Sequence, residues 1–248
     1  MKRILKIATI FCLLCVTLFS CKSTKTEKTN TSDDDFQSTV ENNSDSEKFN
    51  FFQLGKSKYL EGNSFSLFTP SVFGDLKQQN AIVMINPENQ KAGFGSQYLA
   101  AYYVLLLDSK SRTELRFAKE QYFDDFENKK LDRDAKKTFK KYGTSDVQLF
   151  WGTVKGSTPN NAVTKVNFGY EFKEKSPYFT ISVFPTENQL KKEGSNTASE
   201  TSLNLTYYFT KAQITKFLDL LTEDSINQAL ADFHAAQIGG EVELSDEY

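Results

Sequence analysis

Regular alternation of apolar and polar residues between residues 147 and 209 most constrains how this chain folds. Four segments show the pattern, and in each the large apolar side chains fall at every second position. The four series are Val147, Leu149, Trp151 and Thr153; Val166, Phe168, Tyr170 and Phe172; Phe179, Ile181 and Val183; and Leu203, Leu205, Tyr207 and Phe209. Successive side chains of a β-strand point to opposite faces, so each segment is predicted to be a strand with one buried face.

The connections between these strands predict how the strands pair. Lys173 to Pro177 is a short polar segment, which favours an antiparallel hairpin of the second and third strands. The stretch from Asn188 to Ser202 is predicted to be a longer loop.

The first half of the folded region contains shorter apolar runs. Phe65 to Phe68 and Ala81 to Ile85 are bounded by Pro, Gly or Asn and are predicted to be strands. Tyr98 to Leu107 is a continuous apolar run, which predicts one central strand covered on both faces. Gly93-Phe94-Gly95 resembles the start of a dinucleotide fingerprint, but Tyr98 stands where the third glycine belongs, so a flexible turn is predicted there.

Helical spacing appears between the two groups of strands and again after the last strand. Leu115 to Phe126 predicts one helix, and Leu131 to Tyr142, with Asp132 as cap and Gly143 as end, predicts a second helix or a kinked continuation. Thr210 and Gln213 form a capping-box pattern before an amphipathic helix. Thr222 or Ser225 is predicted to cap a last helix, with Gly239 just beyond its end.

These elements together predict an α+β fold, a mostly antiparallel sheet covered by helices. The predicted domain spans residues 49–238, which is an ordinary size for one domain. Residues 239–248 form an acidic tail with little to bury. Residues 21–48 are almost devoid of large apolar side chains and are predicted to be a flexible tether. Asp33, Asp34 and Asp35 in that tether are interpreted as a solvated charge run rather than a calcium site.

The first twenty residues have the layout of a secretory signal peptide. Lys2 and Arg3 precede an apolar run from Ile4 to Phe19, which is too short for a comfortable membrane span. Leu18-Phe19-Ser20-Cys21 resembles the lipobox of bacterial lipoproteins, although Phe19 departs from the small residue usual at its place. The resemblance implies that Cys21 becomes the N-terminal residue and carries diacylglycerol and acyl chains such as palmitate. An ordinary cleaved signal and an uncleaved one remain the alternatives.

Cysteine and charge usage exclude several classes of function. Cys12 and Cys15 lie in the leader and Cys21 is the predicted lipid site, so none is left for a disulfide or a thiol nucleophile. Removal of the leader's three basic residues changes the formal net charge from −2 to −5, which argues against nucleic acid as a partner.

Catalytic and metal-binding patterns are not recognisable in the sequence. His234 is the only histidine and is predicted to be a solvent-facing helix residue. Asp132-Arg133-Asp134 has the first spacing of a calcium loop, but Lys136 stands at the next ligand position. Asp124, Asp125 and Glu127 are interpreted as a solvated helix face rather than paired catalytic acids. No catalytic residue, cofactor or metal ligand is therefore assigned.

A few aromatic side chains are candidates for a binding cleft or an interface, although core packing is the better interpretation of each. They are Trp151, Tyr102, Tyr103, Tyr178 and Tyr208. The ligand that they would bind is unknown.

The second half of the chain resembles uncharacterised lipoproteins of spirochaetes. Phe168-Gly169-Tyr170, Ser176 to Phe179 and Tyr207 to Thr210 carry the resemblance. It implies an address in the bacterial cell envelope, periplasmic or surface-exposed, and no particular activity. We expect a non-enzymatic binding module anchored to a membrane by its lipid. The alternatives are an accessory subunit of an envelope complex and, less favoured, a carboxylate-based enzyme.

Overall fold

The computed structural model describes residues 59–133, 139–153, 159–190 and 200–243. All of these residues belong to one compact unit, Phe49–Tyr248. The predicted signal peptide, the lipid site Cys21, the tether with Asp33 to Asp35, and residues 244–248 of the tail lie outside the described residues. The interpretations of those segments stay predictions.

Eight antiparallel strands form a closed barrel in which each strand pairs with the next along the chain. The strands are β1 (Leu60–Pro70), β2 (Leu76–Asn86), β3 (Lys91–Tyr98), β4 (Ala101–Leu107), β5 (Phe139–Thr153), β6 (Asn160–Lys173), β7 (Ser176–Val183) and β8 (Leu205–Phe209). Pairing of Phe68 on β1 with Tyr208 on β8 closes the barrel. An up-and-down barrel of this kind leaves no full-length sheet edge open.

Three helices accompany the barrel, and their starts follow the capping residues in the sequence. Helix α1 (Ser109–Glu127) joins β4 to β5, with the Asp108 carboxylate accepting the Ser111 N–H at 2.7 Å. Helix α2 (Lys211–Leu220) follows β8 and has the predicted capping box of Thr210 and Gln213. Helix α3 (Glu223–Glu243) begins after Thr222, whose hydroxyl accepts the Ser225 N–H at 3.1 Å.

Side chains fill the barrel interior. Phe217 of α2 stacks on Phe65 with ring centroids 4.7 Å apart, and it lies 5.2 Å from Phe94 and 6.0 Å from Phe209. The ring of Tyr122 on α1 packs against Phe179, with ring centroids 5.7 Å apart. Both helices thus insert aromatic rings between the inward faces of the strands, and the interior is a packed core.

The antiparallel order gives the barrel two different ends. Connections between consecutive strands alternate between the ends, so α1, α2 and the β2–β3 and β6–β7 turns share one of them. We call this the helix end. The β1–β2 turn, the β3–β4 turn and the β7–β8 connection lie at the opposite end, which we call the loop end.

The predicted α+β fold, a sheet covered by helices, is wrong. The sheet closes on itself, and the helices pack against one end of the closed sheet and its interior. Alternation along a strand defines which face is buried, but it does not specify that the first and last strands become neighbours. The alternation of apolar and polar residues therefore predicted most of the strands, but it did not predict that they form a closed barrel.

Tyr98 to Leu107 is not one strand. Leu99 adopts a left-handed conformation with φ of 55°, and the chain reverses there between β3 and β4. The neighbouring prediction of a flexible turn at Gly93 to Gly95 is also wrong, because these residues lie inside β3. A Cβ atom on Gly93 would come within 1.9 Å of the Leu105 carbonyl oxygen, so close approach of β4 requires glycine there.

The second helix predicted for Leu131 to Tyr142 is wrong as well. Phe139 to Tyr142 begin strand β5, and Gly143 lies next to a break in the β5–β6 register rather than at a helix end. Residues 134–138 of the predicted helix, which include Ala135, lie outside the described residues. The first predicted helix is confirmed by α1, and the predicted hairpin is confirmed by β6 and β7. Helix α3 continues past Gly239 to Glu243.

Candidate binding surface at the loop end

The loop end carries most of the large apolar side chains that the barrel leaves in water. Nine such side chains are exposed among the described residues, and six of them lie on the β1–β2, β3–β4 and β7–β8 connections of the loop end. The six are Val72, Phe73, Leu99, Phe184, Leu190 and Leu203. Exposed apolar side chains that are gathered in one region, rather than scattered, mark interaction sites.

The β1–β2 turn presents Phe73 almost completely to solvent, with 92% of its surface exposed. Its backbone is held in place, because the Ser71 N–H donates to the Asp75 carbonyl oxygen at 2.6 Å and the Gly74 N–H donates to the Ser71 carbonyl oxygen at 3.0 Å. Gly74 has φ of 92°, a conformation that favours glycine. The turn therefore holds an apolar ring in water without packing it against the barrel.

Leu99 at the tip of the β3–β4 turn combines exposure with backbone strain. Its side chain is 55% exposed and its φ is 55°. Three other described residues that are not glycine have positive φ, and all three are polar turn residues: Gln90, Lys129 and Glu174. A left-handed conformation costs a branched apolar residue about 1–2 kcal/mol relative to glycine. Leucine does not stabilise the turn in this conformation, so we interpret its exposed side chain as a binding residue.

The β7–β8 connection is built on an extension of the barrel. Four backbone hydrogen bonds order it: Phe184 N–H to Lys165 O at 3.2 Å, Gln189 N–H to Asn161 O at 2.8 Å, Asn188 N–H to Glu200 O at 2.7 Å and Ser202 N–H to Thr186 O at 2.9 Å. A hydrogen bond also joins the Leu203 backbone to the Tyr103 hydroxyl, whose ring lies in the barrel core. The exposed side chains of this connection thus project from a hydrogen-bonded platform.

A cleft of about 440 Å³ lies between the β1–β2 and β3–β4 hairpins. Val72, Tyr98 and Leu99 contribute apolar surface to it. Gln79, Asn80 and Gln97 contribute carboxamides, and Lys77 is its only charged lining residue. A cavity of this size with a few convergent polar groups has the character of a ligand site.

The predicted aromatic candidates divide into three groups. Trp151 and Tyr103 belong to the barrel core, which supports the packing interpretation. Tyr102 and Tyr178 are half-buried. Tyr208 points outward at the β8–β1 junction and is nonetheless 4% exposed. None of these five residues lies in the loop-end cleft, where Tyr98 is the aromatic residue.

Tyr208 belongs to a cluster that stabilises the barrel closure. Its hydroxyl donates to the Glu171 carboxylate at 2.8 Å, and the Lys173 ammonium lies 5.0 Å from its ring centroid. Burial, with the hydrogen bond to Glu171, raises the pKa of Tyr208. Tyr208 on β8 pairs with Thr180 on β7, and its hydroxyl reaches Glu171 on the strand beyond, β6. The cluster is best explained as packing at the junction of β8 with its neighbours.

Asp124 and Asp125 at the end of α1 line one cleft with Glu120, whereas Glu127 does not line it. Each of the three candidate acids has a different cationic partner: Lys130 for Asp124 at 3.1 Å, Lys140 for Asp125 at 2.7 Å and Lys211 for Glu127 at 3.1 Å. Hydrogen bonds from Lys140 and Tyr142 hold the pKa of Asp125 below its usual range. Asp124 and Glu127 are mostly exposed, as predicted for a solvated face, whereas the Asp125 side chain is 13% exposed. The separate cationic partners explain these carboxylates as ion pairs rather than as an acid and a base.

The remaining candidates are His234, Asp132 and Asp134. His234 is exposed on α3, as predicted, and contacts the ring of Phe233 at 5.6 Å between centroids. The Asp132 backbone N–H donates to the Tyr170 hydroxyl at 2.9 Å, and Asp134 lies outside the described residues. In the described part of the chain, no three histidine, cysteine or acidic side chains are grouped for a metal ion. Its helices also include none that is both long and apolar enough to cross a membrane.

Sequence reasoning missed Val72, Phe73 and Leu99. Val72 and Phe73 stand between Pro70 and Gly74, and an apolar pair inside such a turn was an available signal. Leu99 was hidden in the apolar run that was interpreted as one strand.

Comparison with known proteins gives one family. A search of curated proteins and a search of solved structures find no match to the chain. A family model described as "Uncharacterised Treponema protein" matches residues 26–228, which includes every strand of the barrel. This confirms the predicted similarity to uncharacterised spirochaete proteins and extends it beyond the second half of the chain. The chain belongs to this family of uncharacterised Treponema proteins.

Proposed function

We propose that the chain is a lipid-anchored protein of the bacterial cell envelope that binds a protein partner through its loop end and is not an enzyme. The observation that carries the proposal is the concentration of exposed apolar side chains on the β1–β2, β3–β4 and β7–β8 connections of the loop end. Side chains fill the interior of this barrel, so a partner has to bind on its outside. Loops held by a rigid scaffold are where binding residues are usually found.

The lipid anchor rests on the lipobox-like residues Leu18 to Cys21 and the polar stretch that follows. Mass spectrometry of the N-terminus of the native protein tests it. We expect Cys21 to be the first residue and to carry a diacylglycerol and acyl chains. An unmodified N-terminus would overturn the anchor.

Position-specific photo-crosslinking in intact cells tests binding by the loop end. A photoreactive phenylalanine analogue at Phe73 is compared with the same analogue at Phe117, which is 61% exposed on α1 at the helix end. We expect one discrete crosslinked protein from position 73 and none from position 117. Equal crosslinking at the two positions, or none at position 73, would contradict the proposal.

Proteinase treatment of intact cells establishes which compartment holds the partner. Removal of the barrel by external proteinase indicates a surface-exposed protein, so its partner belongs to the environment or the host. Full protection indicates a periplasmic partner.

A further inference from the structure

Strand β2 extends beyond the strand that should cover its outer edge. Its pairing with β1 continues to Pro70 and Leu76, whereas its pairing with β3 stops at Ala81 and Ser96. Residues Leu76–Asn80 therefore have a neighbouring strand on one side only. The loop-end cleft lies on the other side, between this part of β2 and the end of β3.

The hydrogen-bond pattern shows which backbone groups face the cleft. The bond from Ser71 N–H to Asp75 O makes that pair a hydrogen-bonded pair of the β1–β2 ladder. Such pairs recur at every second residue of an antiparallel ladder, so Lys77 and Gln79 bond to β1. The backbone N–H and C=O groups of Gln78 and Asn80 consequently point away from β1.

The register gives Gln78 no partner on β3, so its backbone N–H and C=O are not paired with a strand on that side within the described part of the chain. The side chains of Gln78 and Asn80 are exposed, so water solvates the edge. A strand edge with unpaired groups is a template for another strand. The five residues from Leu76 to Asn80 offer about 17 Å of such an edge.

The walls of the cleft suit an extended peptide. The carboxamides of Gln79, Asn80 and Gln97 each supply donors and an acceptor, which can match the groups of a peptide backbone. Val72 and Leu99 offer apolar contacts for alternate side chains of a strand. Lys77 is the single charge, which favours a peptide with an acidic side chain.

We propose that the cleft binds an extended peptide of the partner protein, which adds as a strand to Leu76–Asn80 of β2 and places an acidic side chain near Lys77. This proposal names the ligand of the loop end and rests on the proposed function. The peptide's backbone supplies the hydrogen bonds that β3 does not, and its apolar side chains contact the exposed residues of the two hairpins.

The test uses the full chain and an array of eight-residue synthetic peptides with valine at alternate positions, each made with and without one glutamate. The tightest peptide is also made with N-methylated backbone amides. The decisive variant is Gln78→Pro, which removes an N–H that points away from β1 and leaves the bonds to β1 in place. Gln78→Ala is the matched control, since it changes the same exposed side chain and keeps the N–H.

We expect Gln78→Pro to weaken peptide binding by about tenfold or more, the effect of a lost hydrogen bond with added steric obstruction. Gln78→Ala should change binding by less than about twofold. Lys77→Gln should weaken binding of the peptides with glutamate and leave the others unchanged. The N-methylated peptide should lose binding to the unaltered chain, which tests strand addition even where Gln78→Pro does not fold.

Several results would overturn the proposal. They are absence of binding by every peptide of the array, equal binding by Gln78→Pro and Gln78→Ala, and protection of the Gln78 and Asn80 amides from hydrogen exchange in the chain alone. Self-association that Gln78→Pro abolishes would show a second copy as the occupant. None of these results alters the crosslinking expected at Phe73, so strand addition can fail while loop-end binding stands.

Discussion

At the scale of single residues, Leu99 shows a conflict between stability and function. Its φ of 55° disfavours leucine, and more than half of its side chain remains in water. Asparagine tolerates this conformation, so Leu99→Asn should raise the free energy of unfolding by about 1 kcal/mol. Equilibrium unfolding in urea measures the change.

Leu99→Ala separates backbone strain from the loss of the side chain. Alanine has the same conformational penalty as leucine, so the unfolding free energy should change by less than about 0.5 kcal/mol. Both variants should weaken binding at the loop end, because both remove a wall of the cleft. Equal stability of Leu99→Asn and Leu99→Ala would show that the turn is not strained.

Arg112 is the residue that ties the helix end together. It is 2% exposed, its guanidinium donates to the Glu223 carboxylate at 2.8 and 2.9 Å, and it donates to the carbonyl oxygens of Gln90 and Leu107 at 3.1 and 3.0 Å. A lysine ammonium cannot donate to the carboxylate and to both carbonyl oxygens in this planar arrangement. Arg112→Lys should therefore lower the unfolding free energy by about 3 kcal/mol.

The control for Arg112→Lys is Glu223→Gln, which keeps a hydrogen-bond acceptor on a side chain that is 57% exposed. Its effect should be about 1–2 kcal/mol, smaller than that of Arg112→Lys, since the amide oxygen still accepts a hydrogen bond but the buried guanidinium loses its counter-charge. Urea unfolding of both variants checks the difference. Equal losses would mean that the ion pair, rather than the hydrogen bonds to the carbonyl oxygens of Gln90 and Leu107, carries the effect.

At the scale of elements, Gly93 allows β3 and β4 to approach each other. An alanine Cβ at this position would lie 1.9 Å from the Leu105 carbonyl oxygen, so Gly93→Ala must displace a strand and should lower the unfolding free energy by about 3 kcal/mol or more. Gly143→Ala is the matched control in β5, because its Cβ would meet no atom closer than 3.6 Å. Thermal unfolding compares them, and a small effect at Gly93 would contradict the close approach.

The same elements show how far sequence reasoning reaches. Alternation predicts β5 to β8 because each of these strands keeps one face in the core. It fails at β3, where Gly93 and Gly95 remove the side chains that would mark a face, and at Leu99, where a turn uses an apolar residue. Phe139 and Tyr142 follow helical spacing in the sequence, and tertiary pairing of this segment with β6 overrides that local pattern.

The candidate site was less predictable than the strands. Its cleft exists because the β1–β2 ladder is longer than the β2–β3 ladder, and ladder length depends on pairings between distant segments. Closure of the barrel through Phe68 and Tyr208 depends on segments from opposite ends of the described chain in the same way. A local sequence pattern specifies neither the length of a ladder nor which strands close the barrel.

At the scale of the whole molecule, buried tyrosine rings in the barrel core and at the β8–β1 junction predict that the protein unfolds in alkali. Burial raises the pKa of Tyr103, Tyr122, Tyr207 and Tyr208, all at most 4% exposed. Above about pH 10 the unfolded chain releases these protons while the folded chain keeps them, so stability falls as pH rises, by about 1.4 kcal/mol per pH unit for each tyrosine. Urea unfolding across this range measures how the unfolding free energy changes with pH. Tyr208→Phe should remove the contribution of one proton from that slope. Tyrosinate absorbance that appears before unfolding would contradict the argument.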